Sequence, residues 1–104
     1  MKILIIEDDF KIREELKILL ESEGYQVEVI DSFQNIIQDI INQEYDLLLL
    51  DINLPNENGF MICKEVKKQK QTPIIFVTSR NTEEDELNRI LSGGDDFVTK
   101  PYNK

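Results

Sequence analysis

The chain has 104 residues, 40% of them hydrophobic, which suits one domain and excludes a mainly disordered segment. Its formal charge of −9, from 21 acidic against 12 basic residues, excludes a surface that grips a phosphate backbone by itself. No apolar stretch approaches the ~20 residues of a membrane span, and the single cysteine, Cys63, cannot form an internal disulfide.

In chain order, Ile3-Leu4-Ile5-Ile6 is a short continuous apolar run and predicts a strand buried on both faces. Glu7-Asp8-Asp9 ends that run too early for a secretory leader, so the chain reads as cytosolic. Ile12, Leu16, Leu19 and Leu20 fall at i, i+4, i+7 and i+8, an apolar stripe on a first helix that Gly24 stops. Val27 and Val29 mark a second strand. Ser32 is placed as the cap of a second helix carrying Phe33, Ile36, Ile37, Ile40 and Ile41. Asp46 to Leu50 predicts the third strand, and the segment from Asp51 to Gly59 is a loop rich in turn formers. A weaker helix over Phe60 to Lys70 carries Cys63, which is expected to pack, and Ile74 to Val77 is the fourth strand. Thr82-Glu83-Glu84-Asp85 has capping-box character and opens a helix ending at Gly93-Gly94. Phe97 to Thr99 is a short fifth strand leading into Lys100-Pro101.

This alternation predicts an α/β domain with a doubly wound parallel sheet and helices on both faces, without linker or internal repeat. Ligands of such sheets bind beyond the carboxyl ends of the strands. Three of those ends carry Glu7-Asp8-Asp9, Asp51 and Lys100. Taken singly, each has an ordinary explanation: acids cap helices, an aspartate after a strand turns the chain, and a strand-end lysine is solvated. Asp9 is read as a helix cap only. Taken together, they make a charged pocket with a carboxylate nucleophile. A carboxylate can hold a phosphoryl group as an acyl phosphate, and that transfer needs mainly positioning and charge neutralisation. Clustered carboxylates are electrostatically unfavourable without a cation, and Mg²⁺ prefers oxygen ligands.

Ile5-Ile6-Glu7-Asp8-Asp9, Leu49-Leu50-Asp51-Ile52-Asn53-Leu54-Pro55, Gly59, Val77-Thr78-Ser79 and Gly93-Gly94-Asp95-Asp96-Phe97-Val98-Thr99-Lys100-Pro101 resemble the receiver domain of bacterial two-component response regulators. The resemblance covers essentially the whole chain and is strongest to the winged-helix (OmpR/PhoB-type) transcription regulators. It implies a CheY-like (flavodoxin-like) five-stranded sheet of order 2-1-3-4-5, with the usual fifth helix missing here. The expectation is thus a C-terminally truncated receiver over residues 1–104 with a DNA-binding effector domain downstream.

By the same resemblance, Asp51 is the phosphoacceptor, and Asp8 and Asp51 ligate Mg²⁺. Glu7 reaches the ion through water and Asn53 through its backbone carbonyl. Lys100 pairs with the acids and then with the phosphoryl oxygens, while Thr78 and Phe97 form a coupled switch. The implied partner is a sensor histidine kinase, with DNA reached only through the absent domain. A homodimer is implied on phosphorylation. Glu86 stands where such relatives often carry a basic residue, and with the fifth helix missing the usual dimer surface is incomplete. The chain is expected to accept a phosphoryl group and lose it slowly, not to turn over a substrate. Lys11, Arg13 and Lys17 either bear on kinase choice or form a solvated face.

Two rivals use similar parts. A haloacid-dehalogenase-like phosphatase also has a strand-end aspartate and Mg²⁺, but needs a second acid two residues on, where Asn53 stands. A flavin-binding module needs a phosphate cradle after the first strand, where Glu7-Asp8-Asp9 would repel an anion.

Overall fold

The run Leu47-Leu48-Leu49-Leu50 has no polar side, and it becomes the middle strand of a sheet covered on both faces. The computed structural model describes residues 1–30, 32–54, 57–78 and 83–99, and the side chains of Asn53, Glu83, Asp85, Phe97 and Thr99 fall outside it. The elements are β1 (Lys2–Ile6), α1 (Phe10–Ser22), β2 (Gln26–Ile30), α2 (Ile36–Asn42) and β3 (Leu47–Asp51). A two-stranded hairpin of β4 (Asn53–Leu54) and β5 (Glu57–Asn58) follows, then α3 (Gly59–Lys67), β6 (Ile74–Thr78), α4 (Glu83–Ser92) and β7 (Asp96–Thr99).

The main sheet is parallel, in the order β2-β1-β3-β6-β7, which is the order the resemblance implies once the small hairpin is set aside. Successive side chains of a strand point to opposite faces. Leu4, Ile6, Leu48, Leu50, Ile74 and Phe76 therefore join the larger core, against Ile36 and Ile40 of α2 and Ile62, Cys63 and Val66 of α3. Ile3, Ile5, Leu49 and Val77 turn the other way and pack on Leu16 of α1. Burying each such aliphatic side chain is worth roughly 2 kcal/mol before chain entropy is set against it. Among the described residues, no helix is long and apolar enough to cross a membrane.

The first helix matches its expected ends. Asp9 caps it, its Oδ1 accepting from the Ile12 N–H at 3.2 Å. Gly24, at φ +93°, closes it while the Tyr25 N–H donates to the Leu20 carbonyl at 3.2 Å. The second helix departs from expectation. It begins at Ile36 with Asn35 in the cap position, so Ser32 is not its cap. The buried pair Ile36 and Ile40 fixes where the helix can lie, and Phe33 reaches the core from outside it. The third helix likewise stops at Lys67, before the expected Lys70. Cys63 packs as expected, fully buried, with its thiol donating to the Ser92 carbonyl at 3.4 Å; burial pushes that thiol up.

Candidate functional site

Parallel register carries the acids to one edge. β1 pairs with β3 at Ile6 and Leu50, so the next residues, Glu7 and Asp51, emerge side by side. β3 pairs with β6 at Asp51 and Val77, which sets Thr78 one step beyond. Glu7, Asp51 and Thr78 are 1%, 4% and 1% exposed, whereas Asp8 is open to solvent. Carboxylate oxygens of Glu7, Asp8 and Asp51 all lie within 4.8 Å of one another. At that separation two like charges repel by about 3 kcal/mol at an effective dielectric of ~20. A hard divalent cation with oxygen preference fits such a donor set and relieves the repulsion.

Two backbone devices hold the acids in place. In the β1–α1 turn, the Glu7 Oε1 accepts from the Asp9 N–H at 3.1 Å, and the Glu7 carbonyl accepts from Arg13 Nη1 at 3.1 Å. After Asp51 the chain folds back through the β4–β5 hairpin, pairing Asn53 with Asn58. The Gly59 N–H then donates to the Ile52 carbonyl at 2.7 Å, and the Asn58 Oδ1 caps α3 by accepting from the Phe60 N–H at 2.8 Å. A Cβ on Gly59 would strike the Asp51 carbonyl oxygen and lie 2.7 Å from the Ile52 Cα. Only glycine lets α3 start so close to the candidate phosphoacceptor.

The structure thus brings together Glu7, Asp8, Asp51 and Thr78. The Asn53 backbone lies in β4 beside them in sequence, and its side chain is not described. Phe97 is placed by its backbone, paired with Phe76 across β6 and β7, but its side chain lies outside the described residues, as does Lys100. Glu86 pairs within α4 with Arg89, accepting from its Nε at 3.0 Å and also from its Nη2.

Two residues escaped the sequence reading. Arg13 is not simply part of a solvated face, because its guanidinium bonds the Glu7 carbonyl six residues back and its Nε is buried. Gly59 was seen as part of a motif, without the close approach that requires it. A helical residue one turn inside an N-cap can reach back over that cap, and this was the available signal for Arg13.

The site has relatives. The chain is 38% identical over 102 residues to the transcriptional regulatory protein YxdJ of Bacillus subtilis (strain 168), covering 98% of this chain and 44% of that protein. It therefore spans less than half the length of that curated relative. A two-component response regulator from Clostridium difficile superposes with a TM-score of 0.91 at 35% identity, over 99% of this chain and 85% of that one. The response regulator protein TrrA from Thermotoga maritima, solved in complex with Mg(2+)-BeF, gives a TM-score of 0.86 at 30% identity, over 98% and 88%. Residues 3–104 match the response regulator receiver domain, and with strand order, acidic edge and relatives in agreement, the chain belongs to that family.

Proposed function

We propose that this chain is a phosphorylation-dependent switch that takes a phosphoryl group on Asp51 from the phosphohistidine of a sensor kinase. The observation that supports it most is the meeting of Glu7, Asp8 and Asp51 from two strand ends, beside the buried Thr78. An Asp51 carboxylate oxygen attacks phosphorus, the O–P bond forms, and the P–N bond of the donor breaks with its electron pair returning to the imidazole. The β4–β5 hairpin and Gly59 keep the Asp51 backbone fixed while the side chain reacts. The Thr78 hydroxyl donates to a phosphoryl oxygen. Lys100 and the Phe97 ring complete the assignment as charge partner and switch residue.

Asp8 and Asp51, with Glu7 through water and the Asn53 carbonyl, would hold Mg²⁺; the clustering of the three acids supports this, and the similar protein TrrA was solved in complex with Mg(2+)-BeF. When bound, the ion supplies positive charge against the phosphoryl oxygens. The phosphorylated chain favours one of two pre-existing arrangements of α4 and β7, and this population shift is the signal. The output is transcriptional, through a DNA-binding domain outside this chain, with the exchange taking place in the cytoplasm and a homodimer as a phosphorylated form. The chain is not a turnover enzyme: Asn53 stands where a phosphatase needs its second acid, and only slow hydrolysis of the acyl phosphate follows.

The test is incubation with acetyl phosphate, with and without Mg²⁺, followed by intact mass. One phosphoryl group is expected with the metal only, and none in Asp51→Asn. Phosphorylation of Asp51→Asn at the parent rate would remove the assignment.

A further inference from the structure

We infer that Arg13 is a positioning residue for the acidic pocket: its guanidinium fixes the peptide that joins Glu7 to Asp8, and so aims both carboxylates. The inference rests on the metal site proposed above and names a residue that acts on it from outside.

Glu7 and Asp8 share one peptide plane, so the direction of the Glu7 carbonyl sets where the two side chains leave the backbone. That carbonyl lies one residue past the end of β1. Arg13 Nη1 takes it at 3.1 Å. The arginine is itself anchored, because its backbone N–H closes the first turn of α1 on the Asp9 carbonyl at 2.9 Å. The Phe10 ring braces the guanidinium from one side, 5.3 Å from centroid to carbon. Glu7 is thus held at both ends, its carbonyl by Arg13 and its carboxylate by the Asp9 N–H.

The Arg13 Nε is buried and has no hydrogen-bond partner among the described residues. Burying a donor unmatched costs stability. The planar fork of an arginine suits a donor that must reach back six residues to a carbonyl, and lysine does not reproduce its geometry.

Simple charge and positioning predict opposite outcomes. Removing a cation near a metal site should tighten Mg²⁺ by relieving repulsion. Removing a positioning contact should loosen it, by about 10-fold for a group supporting metal ligands from behind. The experiment is calorimetric Mg²⁺ titration of the parent, Arg13→Gln and Arg13→Lys, each well below its melting temperature. Weaker Mg²⁺ binding in Arg13→Gln, with part of the affinity recovered in Arg13→Lys, is the expected result. Unchanged or tighter binding in both variants overturns the inference while leaving the metal site in place. A parent that binds no Mg²⁺ overturns the site and the inference together. Should Arg13→Gln fail to fold, Arg13→Lys decides alone, by weaker binding or by none of it.

Discussion

Two glycines of this domain each forbid a side chain, at opposite ends of the sheet, and they protect different things. Gly59 faces the Asp51 carbonyl at the edge where the acids meet. Gly94 lies at the α4–β7 turn, where a Cβ would strike the ring of Phe76, fully buried and packed edge-on against Phe60 at 4.8 Å. The turn around Gly94 is fastened from several sides. Its N–H donates to the Arg89 carbonyl at 3.0 Å, and Arg89 Nη1 donates to its carbonyl at 2.8 Å. Next to it, the Asp95 N–H donates to the Ile74 carbonyl at 2.8 Å, while the Asp95 Oδ2 accepts from the Ile74 N–H at 2.7 Å and Lys67 Nζ at 3.0 Å. Burial opposes the Asp95 charge, yet the Ile74 N–H and Lys67 hold its carboxyl below the ordinary range. The loop before Gly59 is held by the β4–β5 pairing, by the Gly59 N–H on the Ile52 carbonyl and by the Asn58 cap of α3. The contrast is between a turn that belongs to the core and a loop that belongs to the site.

That contrast is broken most directly at Gly59. Gly59→Ala must displace the Asp51 carbonyl or the start of α3, because backbone atoms bar the new carbon. A misplacement on the order of 1 Å lowers the rate of an oriented reaction by about 100-fold. The rate of phosphoryl addition from acetyl phosphate, read by intact mass, is expected to fall by that factor while the chain still melts cooperatively. A parent-like rate in a folded Gly59→Ala would show that the Asp51 backbone need not be held. Gly94→Ala sharpens the comparison from the other end. Overpacking against Phe76 is expected to cost about 2 kcal/mol, a fall of roughly 10 °C in melting temperature, with little change in the rate per folded molecule.

The same contrast explains how much could be read in advance. The strands were legible because a doubly covered sheet demands unbroken apolar runs, and Leu47 to Leu50 or Ile3 to Ile6 have no other use. Glu7, Asp8 and Asp51 were legible because strand ends in parallel register must converge. Ser32 misled, because a good capping residue says nothing about where the tertiary packing of Ile36 and Ile40 sets the helix. Gly59 was legible only as a motif member, Gly94 as a motif member and helix stop, and Arg13 as charge. Their roles are approaches between segments that are distant in sequence or folded back, and such approaches leave no periodic trace.

The smallest expected effect concerns a residue in the body of the core, away from both glycines. Tyr45 is buried there, with Lys70 Nζ 4.9 Å over its ring while that ammonium donates to the Gln43 carbonyl at 2.7 Å. The Tyr45 hydroxyl is buried with no hydrogen-bond partner among the described residues, and burial pushes its pKa up from 10.0 to about 12. The folded chain therefore keeps this proton where the unfolded chain releases it. The resulting stability is complete below pH ~10 and is lost as pH rises toward about 12. Tyr45→Phe removes an unmatched polar group and should raise stability at neutral pH by about 1 kcal/mol. It should also flatten the alkaline decline in denaturant melts taken between those pH values. A destabilised Tyr45→Phe would mean that the hydroxyl has a partner after all, and that this part of the core, like the turn at Gly94, is fastened by a polar contact rather than by packing alone.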